Sequence, residues 1–308
     1  MQLGSKVSLV RINDSTEIKK SISESLDLID FRTSGSVKSV VVKPNLCYYW
    51  DASTGYTTDP RVVAAIIDLI RDRFGDVEIK VAEADASAMR TKHVFPVLGY
   101  QKLADEKRVE LFNLSNDVLL DETTRVQGLD FSFKVPQLLK KSDLFVNVPK
   151  LKVMRATKIT CAMKNIFGCI GAPKKILYHP HLNQAIVAIN KLLKPHLTIV
   201  DGTIALGRFP VKMNLIMAGV DVFSVDWVAS QVMRYKPRQV DFLRIATEEK
   251  VGDPKGITTV GGNIHEFSRD FPRPGGTASG FSWKVQFALL KMYRKVSGDV
   301  IPPILEEA

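Results

Sequence analysis

Cysteine is scarce in this 308-residue chain: there are three, an odd number, which argues against a disulfide framework and fits reduced thiols. No apolar run reaches about 18 residues, so no membrane span is expected. The start, MQLGSKVSLVRIND, lacks the charged opening and long apolar core of a signal peptide, and the expected compartment is the cytoplasm. The chain contains no GxxxxGK[ST] phosphate loop and no CxxCxxC run. No block of five basic residues occurs either, which removes the usual form of a nucleic-acid arm.

What is present is ordinary in kind and uneven in charge. Hydrophobic residues make up 45% and charged residues 25%, enough for a folded domain with a substantial core. Lys plus Arg number 43 against 33 acidic residues, a formal charge of +10 that favours anionic partners. Short β-branched runs such as KVSLVRI and SVVVKPNL alternate with helical patterns such as TDPRVVAAIIDLIRDRFG. The last has Thr58 or Asp59 as N-cap, Pro60 in the first turn and Gly75 at the close. Ser15 is the expected cap of an earlier helix ending near Ile29. The alternation predicts an α/β fold, a mostly parallel central sheet with helices on both faces, with two α/β lobes as the variant. Residues 1–267 form the expected domain, with a sub-lobe boundary near 150. Residues 268–280, rich in Pro, Gly and Ser, read as a linker. Residues 281–308 read as an aromatic, basic helical tail that packs on the core, contacts another subunit or lies on a membrane surface.

Open parallel sheets bind ligands beyond the carboxyl ends of their strands. The predicted strands end in Lys43 and Asn45, in Glu83 and Asp85, in Asn147, Lys150 and Lys152, and in Asp201 and Gly202. Lysines there hold phosphate or carboxylate groups as point charges. The plain structural alternative pairs Lys43 with Glu83 or Asp85 and leaves Lys150 and Lys152 solvated. Thr58 and Asp59, at a helix start, add free backbone N–H groups. The preceding loop, CYYWDASTGYT, suits a lid, or a surface loop pinned by Trp50.

The segment ITCAMKNIFGCIGAPKKILYHPHL is harder to place. A helix there sets Cys161 and Cys169 about two turns, roughly 12 Å, apart, too far for one tetrahedral metal, so no metal ligand is assigned. Lys164 and Asn165 follow Thr160 by one turn and share its face. His179 is a candidate acid or base, and His181 flanks the next helix.

The ordered pieces VVVKPNL, TDPRVVAAIIDLIRD, VAEADAS, LFVNVPKLKVM, TKITCAMKNIFGCIG, HPHLNQAIVAINKLLKPHLTIVDGTIALG and AGVDVFSVDWVASQVM resemble the domain-of-unknown-function 362 family across most of residues 39–250. The resemblance puts Lys43, Asn45, Lys150, Lys152, Lys164, Asn165, Asp201 and Gly202 on the family's polar motif positions. It also implies a link to ferredoxin-type iron–sulfur modules, which here would have to come from a separate partner. The segment ALGRFPVK departs from the family's glycine-rich pattern at Arg208 and Phe209.

The expected function is an enzyme, of oxidoreductase or transferase/ligase type, that takes a small anionic substrate or cofactor. Lys43, Lys150, Lys152 and Lys164 would bind or polarise it, with Thr58 and Gly202 beside them. Asn45 and Asn165 would orient it, and Glu83 or Asp201 would accept a proton or hold a divalent ion through oxygen. The rivals are a nucleic-acid-binding protein that stacks bases on Tyr48, Tyr49 and Trp50, and a scaffold acting through the tail.

Overall fold

The computed structural model describes residues 5–14, 17–33, 35–87 and 89–272. In chain order the strands are β1 (Lys6–Arg11), β2 (Ser39–Pro44), β3 (Glu78–Glu83), β4 (Glu110–Asn113), β5 (Leu119–Val126), β6 (Leu129–Pro136), β7 (Leu144–Val148), β8 (Lys150–Met154), β9 (Lys158–Thr160), β10 (Leu197–Leu206), β11 (Pro210–Gly219) and β12 (Thr258–Gly261). The α-helices are α1 (Ile18–Leu28), α2 (Pro60–Phe74), α3 (Thr91–Val97), α4 (Tyr100–Lys107), α5 (Gln137–Lys141), α6 (Ala162–Phe167), α7 (Leu182–Leu192), α8 (Val222–Val232), α9 (Asp241–Glu248) and α10 (Ile264–Asp270). Among the described residues the main sheet runs β12-β1-β11-β10-β7-β2-β3-β4, with β8 continuing beside β10 and carrying β9. Its pairings are parallel except those of β11 with β1 and β10, and of β8 with β9.

Helices cover both faces because strand side chains alternate. Val40 and Val42 of β2 point into a core built with α1 and α2, while Val41 between them joins a second core with α6 to α9. A strand buried on both sides reads as an unbroken apolar run, which is what SVVVKP is. Helix α2 forms as its sequence predicts. The Asp59 carboxylate accepts from the Arg61 N–H, Pro60 sits in the first turn, and the Gly75 N–H donates to the Arg71 carbonyl.

The sequence also reads as one helix near Val94–Lys107, a short polar excursion before Pro136 and one strand over Leu144–Leu151, and the structure differs in all three. The helix expected over Val94–Lys107 is two helices, α3 and α4, because Gly99 takes φ +79° between them. The expected strand Leu144–Leu151 is split at Pro149, which has no N–H to give. The chain therefore leaves the β7 line and resumes as β8 beside β10, where Lys150 registers with Asp201. Residues expected as an irregular polar excursion form a hairpin, β5–β6, around Gln127 (φ +48°) and Gly128 (φ +79°). Both turn residues have positive φ, as a tight two-residue connection requires. Its inward Phe131, Phe133 and Val135 extend the second core. The expected Ser15 cap, most of the expected linker and the whole tail lie outside the described residues. None of the described helices is long and apolar enough to cross a membrane.

Candidate functional site

The carboxyl ends of β2, β3 and β7 meet the opening of β8 and the middle of β10 over the start of α6, and their polar side chains close into one hydrogen-bonded knot; Asp201 and Gly202, expected at a strand end, lie mid-strand because β10 runs on to Leu206. Pro44 ends β2 and aims Lys43 and Asn45 at it. The Lys43 ammonium donates to Glu83 Oε2 at 2.9 Å, to the Pro44 carbonyl at 2.9 Å and to Asn165 Oδ1 at 3.2 Å. Asn45 Nδ2 shares Asn165 Oδ1 at 2.9 Å, and Asn165 Nδ2 donates to Asn147 Oδ1 at 2.8 Å. Lys152 donates to Asn45 Oδ1 at 2.7 Å, to the Tyr56 carbonyl at 2.7 Å and approaches Cys47 Sγ at 2.9 Å. Lys43, Asn45, Glu83, Asn147, Lys152 and Asn165 are all buried.

A second strand of the knot runs through the α2 start. Lys150 Nζ lies 2.7 Å from Asp201 Oδ2, both groups being 0% exposed. The same oxygen accepts from the Asp59 N–H at 2.8 Å, and Asp201 Oδ1 takes the Thr203 N–H and hydroxyl. Thr58 Oγ1 accepts from the Asn45 N–H and donates to the Val148 carbonyl, tying α2 to β2 and β7. Gly202 is a fit residue here: a Cβ would stand 2.8 Å from the Leu215 carbonyl, beside the bulge where β10 shifts register against β11.

The knot unites Lys43, Asn45, Thr58, Glu83, Lys150, Lys152, Asn165 and Asp201, which are spread over 159 positions of sequence. Two of them are carboxylates whose oxygens already have partners. Glu83 receives the Lys43 ammonium and the Leu46 and Ala84 N–H groups. Asp201 is equally occupied. Of the plain alternative, the ion pair of Lys43 with Glu83 is formed, but Lys150 and Lys152, expected as solvated, are fully buried, one on Asp201 and the other on Asn45 and the Tyr56 carbonyl.

Lys164 lies within reach of the Lys152 charge. It is half-buried, and among the described residues its ammonium has no hydrogen bond and no ion pair. Burial, then the charge of Lys152, pulls it down to about 8, against a smaller opposing pull from Cys47. Lys175, buried, donates to the Gly168 carbonyl at 2.7 Å and is likewise lowered to about 8 by burial. His179 lies on the short 3-10 turn Lys175–His181, largely exposed; partial burial of its ring, then the Lys164 charge, lower its pKa.

Comparison with known proteins carries the identification. A family model described as domain of unknown function (DUF362) matches residues 40–231, more than half of the chain. The chain belongs to this family. The matched span holds all of the knot, together with Lys164, Lys175 and His179. Among curated proteins, a thylakoid-associated protein of Synechocystis sp. is 25% identical over 226 residues, covering 69% of this chain and 68% of that protein. Among solved structures, the lactate racemase apoprotein from Thermoanaerobacterium thermosaccharolyticum is 10% identical with a TM-score of 0.38. That match covers 74% of this chain and 57% of the racemase, and at that score it supports no inference about chemistry.

Within this DUF362 domain, three participants escaped the sequence reading. Cys47 stands directly after the KPNL strand end, the position that carries every other rim group, yet only Cys161 and Cys169 drew notice. Those two are buried thiols pushed up by burial, Cys169 to about 12. Lys175 was hidden among other lysines of its loop. Asp226, on α8, accepts the Ala162 and Met163 N–H groups at 2.7 and 2.9 Å and so fixes the start of α6. Burial pushes its carboxyl up to about 7 against those two bonds. The 47–58 loop is an aromatic flap, with Trp50 ring centroids 5.2 Å from Tyr48 and 4.6 Å from Tyr56. Arg208 and Phe209, the departure from the family pattern, sit exposed at the β10–β11 tip.

Proposed function

We propose that this DUF362 protein is an enzyme that takes a small, multiply anionic ligand, bearing phosphate or carboxylate groups, beside Lys152 and Lys164 at the sheet rim. One observation carries the reading. Five lysines converge on the rim, and of the buried carboxylates near them Glu83 pairs with Lys43, Asp201 with Lys150 and Asp59 with Arg61, while Asp226 holds backbone N–H groups; none forms an ion pair with Lys152, Lys164 or Lys175. Burying an ammonium without a counter-charge is costly. Lys152, Lys164 and Lys175 therefore leave a positive excess that an anion would relieve. Lys152 has all three of its hydrogens engaged and contributes field. Lys164 has its hydrogens free and would touch the ligand directly. Asn45 and Asn165, locked by mutual hydrogen bonds, hold the lysines in register, and Lys43–Glu83 and Lys150–Asp201 are the frame.

The nucleic-acid reading has less support: Tyr48, Trp50 and Tyr56 pack on one another and the Tyr49 hydroxyl accepts from the Arg90 N–H, although Trp50 stays exposed. A ferredoxin-type donor, if the reaction is redox, would be a separate chain.

The test is thermal unfolding at constant ionic strength with phosphate, oxalate or citrate added. A saturable rise in Tm is expected for at least one of them. Lys164→Met should weaken that binding about tenfold, the equivalent of about 1.4 kcal/mol, while leaving the ligand-free Tm unchanged or higher. Absence of a shift with all three anions, or identical shifts in the variant, rejects the reading.

A further inference from the structure

We propose that Lys164 is an amine nucleophile, forming an imine with the carbonyl carbon of an anionic oxo compound, an oxo acid or a phosphorylated aldehyde. The inference rests on the anion site of the preceding section and adds a reaction to it.

The two lysines on this side of the rim are built differently. Lys152 is held by Asn45, Cys47 and Tyr56, a geometry for a permanent ammonium. Lys164 is held by nothing at its tip, while its backbone is fixed on either side. The Ala162 and Met163 N–H groups are bound by Asp226, and the next residue, Asn165, is locked into the knot. A side chain on a rigid base with a free end is positioned to attack; an ammonium meant only to bind would gain from a fixed acceptor. A cation beside a desolvated lysine also frees its lone pair, as in known amine nucleophiles. At about 8, roughly a tenth of the Lys164 side chains are neutral amine at pH 7, hundreds of times more than an ordinary surface lysine offers.

Thr160 supplies the second observation. Its hydroxyl is buried, at 2% residue exposure, and has no hydrogen-bond partner. It stands directly across from Lys152 in the β8–β9 pair, so the two side chains leave the same face of the ladder. An orphaned hydroxyl there, at the end of β9 and four residues before Lys164, is suited to the oxygen of an incoming carbonyl or carboxylate.

The step balances without an oxidant. The amine lone pair forms the C–N bond, the C=O bond breaks, and the oxygen leaves as water with the two amine hydrogens. Lys152 offsets the ligand's negative charge throughout.

The experiment is reductive trapping on the full chain. Three samples receive pyruvate, glyoxylate or pyridoxal 5′-phosphate, then borohydride, followed by intact mass measurement and peptide mapping. The expected result is one adduct per chain at Lys164, at least about tenfold faster than at an exposed lysine such as Lys102. Lys164→Arg should abolish it, with the fold checked by circular dichroism. Labelling in the first two samples identifies an oxo-acid site. Labelling only with the phosphorylated aldehyde, suppressed by excess phosphate, identifies a phosphate site. No adduct at Lys164 in any sample, or labelling no faster than at Lys102, overturns the proposal. If the anion-induced rise in Tm persists without an adduct, only the nucleophile falls; if both are absent, the anion site falls with it.

Discussion

Lys43 and Lys150 each face a carboxylate across about one hydrogen bond; Lys152, Lys164 and Lys175 do not, although all five gather at one end of the sheet. The paired set joins β2 to β3 and β8 to β10, so its charges are part of the frame. The unpaired set is bound to amide, carbonyl or sulfur, or to nothing. The contrast teaches that a count of rim lysines says little. What separates framework from function is which of them the protein has already neutralised.

The sharpest way to break the contrast is to remove one partner of a pair. Lys150→Met leaves Asp201 charged at full burial and should cost about 3–5 kcal/mol, lowering Tm by roughly 10 °C. The double variant K150M/D201N should recover more than half of that loss in urea unfolding. If K150M alone is neutral, the pair is not framework.

Asp226 offers the opposite case, a buried carboxyl facing no cation. Its value in the fold, about 7, lies above the ordinary 3.8, so the fold favours the protonated form. That contribution is complete below about pH 4 and is lost as pH rises through 7, at about 1.4 kcal/mol per unit. Unfolding free energy should fall over this window in the native protein, and Asp226→Asn should flatten the slope by up to about 1.4 kcal/mol per pH unit even though it lowers stability overall.

Gly55 tests the flap. It has φ +72°, and a Cβ there would stand 2.9 Å from the Ala205 carbonyl. Gly55→Ala should cost about 1–3 kcal/mol and speed protease cleavage within residues 47–58. The smallest expected effect on stability belongs to the unpaired set: Lys164→Met should change the ligand-free unfolding free energy by no more than about 1 kcal/mol. A large loss would show that Lys164 has a structural partner after all.

Much of this was legible in the residues. Apolar runs ending in Lys43 and Glu83 announced a parallel sheet with a charged rim, because alternation and strand ends are local signals; Lys150 and Asp201 reach the same rim from the start of β8 and the middle of β10, which the local pattern did not show. The Asp59-Pro60 start and Gly75 stop of α2 are local too. What escaped was decided by distant partners. Nothing near Lys43 in sequence says that it pairs with Glu83 rather than Asp85, and nothing near Lys164 says that it pairs with neither. The β5–β6 hairpin was missed because its turn is Gln-Gly, a weaker signal than Asn-Gly. Asp226 was missed because a carboxylate in mid-helix usually faces water; here it reaches the start of α6, 63 positions earlier in sequence.

The break at Pro149 also sets where this chain can change length. Side chains swap faces with every one-residue slip of a strand. Inserting or deleting one residue at that joint would present Leu151 and Val153 to the rim and drive two lysines into the apolar layer. The Gln127-Gly128 turn carries no such consequence, so length variants should survive there and vanish at Pro149.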